Sequence, residues 1–563
     1  MRINTDAVSR KLLELLKGFA ENRKKELFLI FFVIATTILF TVSDPLTVYI
    51  FGVRDKFTNG FIQSMRVYFC LIAPLFFLPG IAGKIYYSAV MAFFAFFSVS
   101  CIVLFRIFNL QIGGDCSFLL LNSNPSETRE FLLSIASFGN IAIALFFTLL
   151  LVFCLYVFWK NKWSFSWLKC GVALLLVLPL SISCLRYGNS YKRHKMLSKC
   201  TLAKFFLEND LINKQSGALA EKIMGQPKFP AKIKALEHNI AGIVVIGESA
   251  NRKHHSIYGY KRNTTPNLLR RKDSVLAFDN VLSAFPQTPI AIRFLLTDST
   301  RRNPDSLNFT YIDALKAAGY KTYWVSNHQA WGLCGYELQT TLFAMKCDKN
   351  YFCHQKTHKK EFDAACLAPV RSFLNTQEPV ILFVHIMGSH TIYSQRYPKN
   401  FGSFKNKTDE ISLTVLPQNR ESTNAYDCSI EYTDSLLEQM ILELQKSKRP
   451  TFLLYVSDHG ESAGLDNYTE SRTTKCNLPQ CYEVPFLVWF SEEYKRKFPE
   501  ILENGRKNLH APLQGDHAIW SMIDLARVQF SKPVKKSSLF SGKYVLPERR
   551  IMYNQEYKSA ALP

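Results

Sequence analysis

Apolar residues crowd the first third of this chain and then thin into short bursts, and the two regimes predict two kinds of structure. Uninterrupted apolar runs bounded by charge occur at Leu27–Ser43, Val67–Gly83, Ile85–Phe105, Ile135–Trp159 and Cys170–Leu185. Each is about as long as a helix needs to cross the roughly 30 Å hydrocarbon layer of a bilayer. Five such runs so close together argue against helices buried in a soluble core. Asp44-Pro45 also stands where a signal peptidase would need small residues. Residues 1–185 are therefore expected to form a transmembrane domain of five helices. Residues 186–234 mix Lys and Arg with Leu and Phe and are read as amphipathic bridging helices lying on the membrane surface.

From about residue 235 the period changes. Short β-branched or aromatic runs at Ile240–Ile246, Lys321–Ser326, Val380–Ile386, Phe452–Ser457 and Pro485–Phe490 predict strands. Helical patterns such as Ile312–Ala318 and Glu431–Lys446 lie between them. This alternation predicts an α/β domain over 235–563 with a largely parallel central sheet. Ligands of such sheets gather beyond the carboxyl ends of the strands, so the residues following each strand carry the functional information.

Charge sets the orientation. Arg2, Arg10, Lys11, Lys17, Arg23, Lys24 and Lys25 precede the first run, and Lys160, Lys162 and Lys169 lie in a later loop. Basic flanks stay in the cytoplasm, so an odd number of spans delivers the C-terminal domain to the outer side. In a bacterium this is a multi-pass inner-membrane protein with its C-terminal domain in the periplasm. The net charge of +23 is uneven: residues 1–185 hold 16 Lys+Arg against 9 Asp+Glu, residues 186–234 hold 11 against 3, and the remainder 41 against 33. The basic density just after the last run suits an anionic lipid surface. No nucleic-acid recognition motif accompanies it, and the compartment is wrong for such a partner. Seven of the 14 cysteines lie in the outer domain, where an oxidising compartment permits disulfides. Cys347/Cys353 and Cys476/Cys481 are spaced as small loops, although spacing alone does not fix connectivity.

Three predicted strands empty into metal-ligating side chains. The first leads to Gly247-Glu248-Ser249, the third carries His385 and continues to Gly388-Ser389-His390, and the fourth leads to Asp458-His459-Gly460-Glu461. Carboxylate oxygen and imidazole nitrogen are the ligands that Zn²⁺ takes. A nucleophile is then expected near the same edge. Thr288 follows Pro286-Gln287 and opens a helical pattern over Ile290–Leu296, with Ser283 as its rival. A cation lowers a hydroxyl's pKa and makes it nucleophilic without a neighbouring base. His254 and His255 suit solvent or substrate equally, His517 suits the start of a helix, and His354 and His358 read as surface.

This set of motifs, with Tyr258-Gly259-Tyr260, Thr265-Pro266-Asn267-Leu268, Gln395-Arg396-Tyr397-Pro398 and Tyr426-Asp427, resembles the bacterial phosphoethanolamine transferases of the alkaline phosphatase/sulfatase superfamily. The resemblance implies five spans, bridging helices and an outer sulfatase-like domain. It implies that Glu248, Thr288, Asp458 and His459 hold Zn²⁺. Thr288 would take phosphoethanolamine from phosphatidylethanolamine and pass it to lipopolysaccharide, at lipid A or a core sugar, or to another envelope acceptor. His390 would serve a second metal or the substrate phosphate, or act as acid or base. Ser123 and Glu127 would meet lipid substrate. Two departures stand out: Ser462 to Val484 contains no histidine, which leaves the second metal open, and Leu119 stands where an Asn is common. A phosphoglycerol transferase or a sulfatase-type hydrolase could use the same framework, as could a non-enzymatic membrane scaffold that keeps the fold. No Cys/Ser-x-Pro-x-Arg sulfatase motif is found.

Overall fold

A computed structural model describes residues 5–42, 57–108, 129, 132, 135–186, 197, 200–234, 236, 238–330, 339–353, 361–463, 476, 478–534, 537–545, 550–552 and 555–557. The described residues fall into two compact units, one within Met1–Phe118 and Leu132–Ile212 and the other within Leu119–Phe131 and Asn213–Pro563. The division falls inside a helix, Thr201–Met224.

In the N-terminal unit, helices α1 (Thr5–Thr41), α2 (Phe57–Ile72), α3 (Gly80–Phe108), α4 (Phe138–Lys160) and α5 (Trp167–Arg186) overlap the five apolar runs. Among the described residues, three segments are long and apolar enough to cross a membrane: Gly80–Arg106, Phe138–Lys160 and Trp167–Leu185. The second run is not one helix. Helix α2 begins well before it, tightens into a 3₁₀ segment over Ala73–Phe77 containing Pro74, and stops before Pro79. Proline lacks an N–H and clashes with the preceding turn, so the apolar stretch cannot continue as one rod. The shorter apolar helix there spans Phe61–Phe77. The unit packs on aromatic rings, with Tyr87 and Phe158 stacked at 4.0 Å.

The second unit is built on a seven-stranded sheet. Its strands are β1 (Ala241–Gly247), β2 (Val275–Phe278), β4 (Lys321–Ser326), β5 (Lys349–Phe352), β6 (Val380–His385), β7 (Thr451–Ser457) and β8 (Phe486–Phe490), while β3 (Val281–Leu282) pairs elsewhere. The order is β2-β8-β7-β1-β6-β4-β5, and only β8 runs antiparallel to its neighbours. The two strands not foreseen, β2 and β5, are the short edges of the sheet. Lys349-Asn350-Tyr351-Phe352 has no apolar run because an edge strand is half solvated.

The central strands read as continuous apolar runs because both sheet faces are covered. Val244 and Ile246 of β1 enter one core cluster with Phe383, Leu454 and Val488. Ile243 and Val245, on the opposite face, enter another with Leu382, Leu453 and Trp489. Register follows from this alternation: Ile246 lies beside His385 of β6 and Val456 of β7. Ser326 of β4 lies beside the same His385. The carboxyl ends of β4, β6, β1 and β7 therefore share one edge.

The cysteine spacing did not predict the contact that forms. Cys353 and Cys366 bring their Sγ atoms to 3.7 Å, both buried, because β5 and the turn at Asp363–Cys366 meet in the fold. Cys347 instead packs in the larger core cluster.

Gly242 in β1 admits no side chain: a Cβ there would lie 2.5 Å from Phe452 Cζ and 2.8 Å from Ile381 Cδ1. Gly242→Ala is expected to overpack the centre of the sheet and cost about 1–3 kcal/mol. A drop in the unfolding midpoint of the detergent-solubilised protein checks this; an unchanged midpoint would show that the neighbouring strands yield freely.

Candidate metal centre

The loop after β1 is held open by local chemistry. Ser249 adopts a left-handed φ of 55°, uncommon for a residue with a Cβ. Its N–H donates to Asp458 Oδ1 at 3.1 Å and its hydroxyl to Glu248 Oε1 at 2.6 Å, so the turn is over-determined by the groups it positions. Ser389 N–H donates to Glu248 O at 3.0 Å, which ties the turn after β6 to the same backbone. Gly388, at φ 46°, sits where a Cβ would fall 2.9 Å from Glu248 O. In the Asp458-His459-Gly460 turn, a Cβ on Gly460 would lie 2.0 Å from Gln480 O.

Within this frame the ligand atoms of Glu248, Asp458 and His459 converge to within 4.8 Å of one another, all three residues buried. His459 Nε2 lies 3.4 Å from Glu248 Oε1 and 3.6 Å from Asp458 Oδ2. Its Nδ1 donates to the Gly460 carbonyl at 2.8 Å, a contact that fixes the ring with Nε2 facing the two carboxylates. Thr288 opens the helix α6 (Thr288–Leu296), which Gln287 precedes without capping it by a side chain. The Thr288 hydroxyl donates to Glu248 Oε2 at 2.9 Å and lies 3.4 Å from His459 Nε2. Thr288 is only half-buried and is thus reachable from outside.

Ser283 does not compete. It is 3% exposed, and its hydroxyl is committed to the carbonyls of Phe285 and Asp458, so it braces the Asp458 turn. His390 occupies the turn after β6, half-buried, and its charge acts on Glu248. It belongs to neither group of converging ligand atoms among the described residues. Ser123 and Glu127 lie outside the described residues, as do His354 and His358. His254 and His255 are buried rather than solvent-facing. His254 Nδ1 meets Asp427 Oδ1 at 2.7 Å, in a network where Arg262 and Tyr260 share Asp427 Oδ2. His517 precedes the helix Ala518–Leu525, half-buried, 4.0 Å from Asp516.

The electrostatics match a cation site. Burial would raise Glu248, but hydrogen bonding and charge from His459 outweigh it and hold its carboxyl well below the usual range. Burial, reinforced by the Glu248 charge, pushes Asp458 up to about 7. Burial works against a charged His459, yet Asp458 and Glu248 overcome it and push the ring up to about 10. Asp458 Oδ2 is buried without a hydrogen-bond partner, an arrangement that costs stability unless another group meets it. The donor set of two carboxylates, one imidazole and one hydroxyl fits a zinc ion.

A second convergence was missed by the sequence reading. Glu248, His328 and His385 also bring ligand atoms within 4.8 Å of one another. His328 follows β4, the second predicted strand, after Asn327, so the strand-end rule used on the first, third and fourth strands reaches it when carried two residues past the strand. The rings of His328 and His385 stack at 3.8 Å with an interplanar angle of 0°. Asp363 braces this side, accepting from Asn327 Nδ2 at 2.8 Å and from the N–H groups of Met387 and Gly388 at 2.8 and 2.9 Å.

Comparison with known proteins follows the geometry. Residues 241–527 match the Sulfatase family, a span of half the chain. The chain belongs to the sulfatase family. Within it, the chain is homologous to bacterial phosphoethanolamine transferases. It is 26% identical to phosphoethanolamine transferase EptC of Escherichia coli K12, over 78% of this chain and 80% of that one. It is 28% identical to phosphoethanolamine transferase EptA of Helicobacter pylori, over 80% and 85% of the two chains. The crystallised C-terminal periplasmic domain of EptC from Escherichia coli, in complex with Zn, aligns with a TM-score of 0.53 at 28% identity. That alignment covers 60% of this chain and 96% of that domain. Integral membrane EptA of Neisseria meningitidis shares the fold, with a TM-score of 0.62 at 15% identity, over 88% of this chain and 95% of that one. This sulfatase-family protein is a multi-pass inner-membrane protein with its α/β unit in the periplasm, the arrangement of these relatives.

At pH 7 the metal-free site holds a proton on His459 and a partial one on Asp458, and both must leave for those groups to ligate. Zinc loading is expected to release about one to two protons per ion at that pH. Release should fall, and apparent affinity climb, as pH rises towards 10. Titration calorimetry in buffers of different ionisation enthalpy measures the number; an enthalpy independent of buffer would contradict this charge state.

Proposed function

We propose that this protein is a zinc-dependent phosphoethanolamine transferase that moves phosphoethanolamine from phosphatidylethanolamine to lipopolysaccharide through a phosphorylated Thr288. The observation that carries the reading is the Thr288 hydroxyl, half-buried, hydrogen-bonded at 2.9 Å to a carboxylate that stays ionised inside the Glu248–Asp458–His459 cluster. The homology to phosphoethanolamine transferases supports the group transferred, and the zinc complex of the EptC domain supports the ion. The five-helix anchor over 1–185 and the bridging segment over 186–234 would hold the site at the lipid headgroups, where the donor resides.

Glu248, Thr288, Asp458 and His459 would hold the zinc ion. When bound, it lowers the pKa of the threonine hydroxyl and neutralises charge building on the phosphoryl oxygens. Thr288 Oγ attacks the phosphorus of phosphatidylethanolamine, and the bond from phosphorus to the glycerol oxygen breaks. The Thr288 proton leaves along its hydrogen bond to Glu248, and the departing diacylglycerol takes up a proton. His390, on the turn tied to Glu248, is the residue assigned to protonate that oxygen and later to deprotonate the acceptor. In the second displacement an acceptor oxygen attacks phosphorus, and Thr288 leaves with its hydroxyl restored. Splitting the transfer in two lets donor and acceptor use the site in turn.

Thr288→Ala is expected to lower transfer from labelled phosphatidylethanolamine by about a thousand-fold or more, with zinc content reduced but the fold kept. Mass spectrometry of lipopolysaccharide from cells with the wild-type or Thr288→Ala gene supplies the product test. An added phosphoethanolamine that persists in the variant would sink the mechanism, and its position in lipid A or core sugar names the acceptor.

A further inference from the structure

We infer that Glu248, His328 and His385 form a second divalent-cation site of the zinc class, so that Glu248 is a carboxylate shared between two ions. Two imidazoles and a carboxylate, all buried and converging within 4.8 Å, are a donor set for zinc and neighbouring transition ions rather than for magnesium or calcium. The site is built from three parallel strand ends, β4, β6 and β1, whose register puts His385 in the row of Ser326 and Ile246, two residues before His328 and Glu248.

A second observation points to a ligand. His385 is 1% exposed and its Nε2 has no hydrogen-bond partner, whereas a buried imidazole in a purely structural role is ordinarily satisfied. His328 shows the contrast: its Nε2 lies 2.9 Å from the Ile386 carbonyl, which orients the ring as outer partners orient metal-bound histidines. The parallel stacking at 3.8 Å disfavours charging either ring beside the other and keeps the two in-plane lone pairs apart, so binding one ion between them requires one imidazole to turn about χ2, a soft torsion.

This site is separate from the Asp458–His459 side and does not involve His390. It rests on the strand-end geometry and stands whether or not phosphoethanolamine is the group transferred. Its role would be to fix the Glu248 carboxylate and to add positive charge behind it, so that Glu248 presents a constant ligand to the Thr288 side.

The test is metal stoichiometry of the full-length protein in detergent, stripped with chelator, reloaded with zinc and measured by mass spectrometry. Wild type should bind about two zinc ions per chain, and His328→Ala or His385→Ala about one. Asp458→Asn should also bind about one, now held by the histidine pair. Replacing that ion with Co²⁺ in Asp458→Asn should give a visible d–d band that His328→Gln removes. This readout does not depend on catalysis. Wild type with a single ion that His328→Ala leaves in place would overturn this inference while sparing the Glu248–Asp458–His459 centre. A wild type that binds no zinc would overturn both. If His328→Ala unfolds, the Asp458→Asn stoichiometry still decides: loss of all zinc overturns the second site.

Discussion

Two carboxylates buried side by side govern the periplasmic unit. Glu248 and Asp458 repel each other out of water, and the surrounding structure exists largely to make that tolerable. Ser249 and Thr288 donate hydroxyls to Glu248, and the N–H groups of Ser249 and His459 donate to Asp458. The imidazole of His459 supplies opposite charge. What remains is one unsatisfied carboxylate oxygen facing a ring nitrogen, an electrostatic demand for a cation. The left-handed Ser249 is the local strain accepted to aim these groups.

The parallel sheet makes the arrangement reproducible. Strands covered on both faces cannot slip by one residue without moving every side chain to the wrong face. The rows joining Ile246, His385 and Val456 are thus fixed by core packing far from the chemistry. Polar groups at the strand ends inherit that precision, whereas groups on loops would not.

Much of this was legible in the sequence, for identifiable reasons. The core strands announced themselves as apolar runs, and β4 was located from Lys321 to Ser326 as it stands. Glu248, Asp458 and His459 were found because each follows such a run directly. Thr288 was less visible, since a threonine before a helix is ordinarily a cap; only its approach to Glu248 distinguishes it. His328 escaped notice because Asn327 separates it from the strand and no familiar motif surrounds it. The edge strand β5 lacked an apolar signature and β2, Val275–Phe278, is a run of only four residues, while the Cys353–Cys366 contact joins elements that spacing cannot relate. The break within the second apolar run was not foreseen, because hydropathy alone reads through Pro74 and Pro79.

Gly388 sets how this protein can diverge. The residue closes a turn whose backbone touches that of Glu248, so neither a side chain nor an added residue fits without displacing the ligand. The arm carrying His390 therefore has a fixed length. The loops that surround the arm can be remodelled, while the reach of His390 would remain the same across such variants.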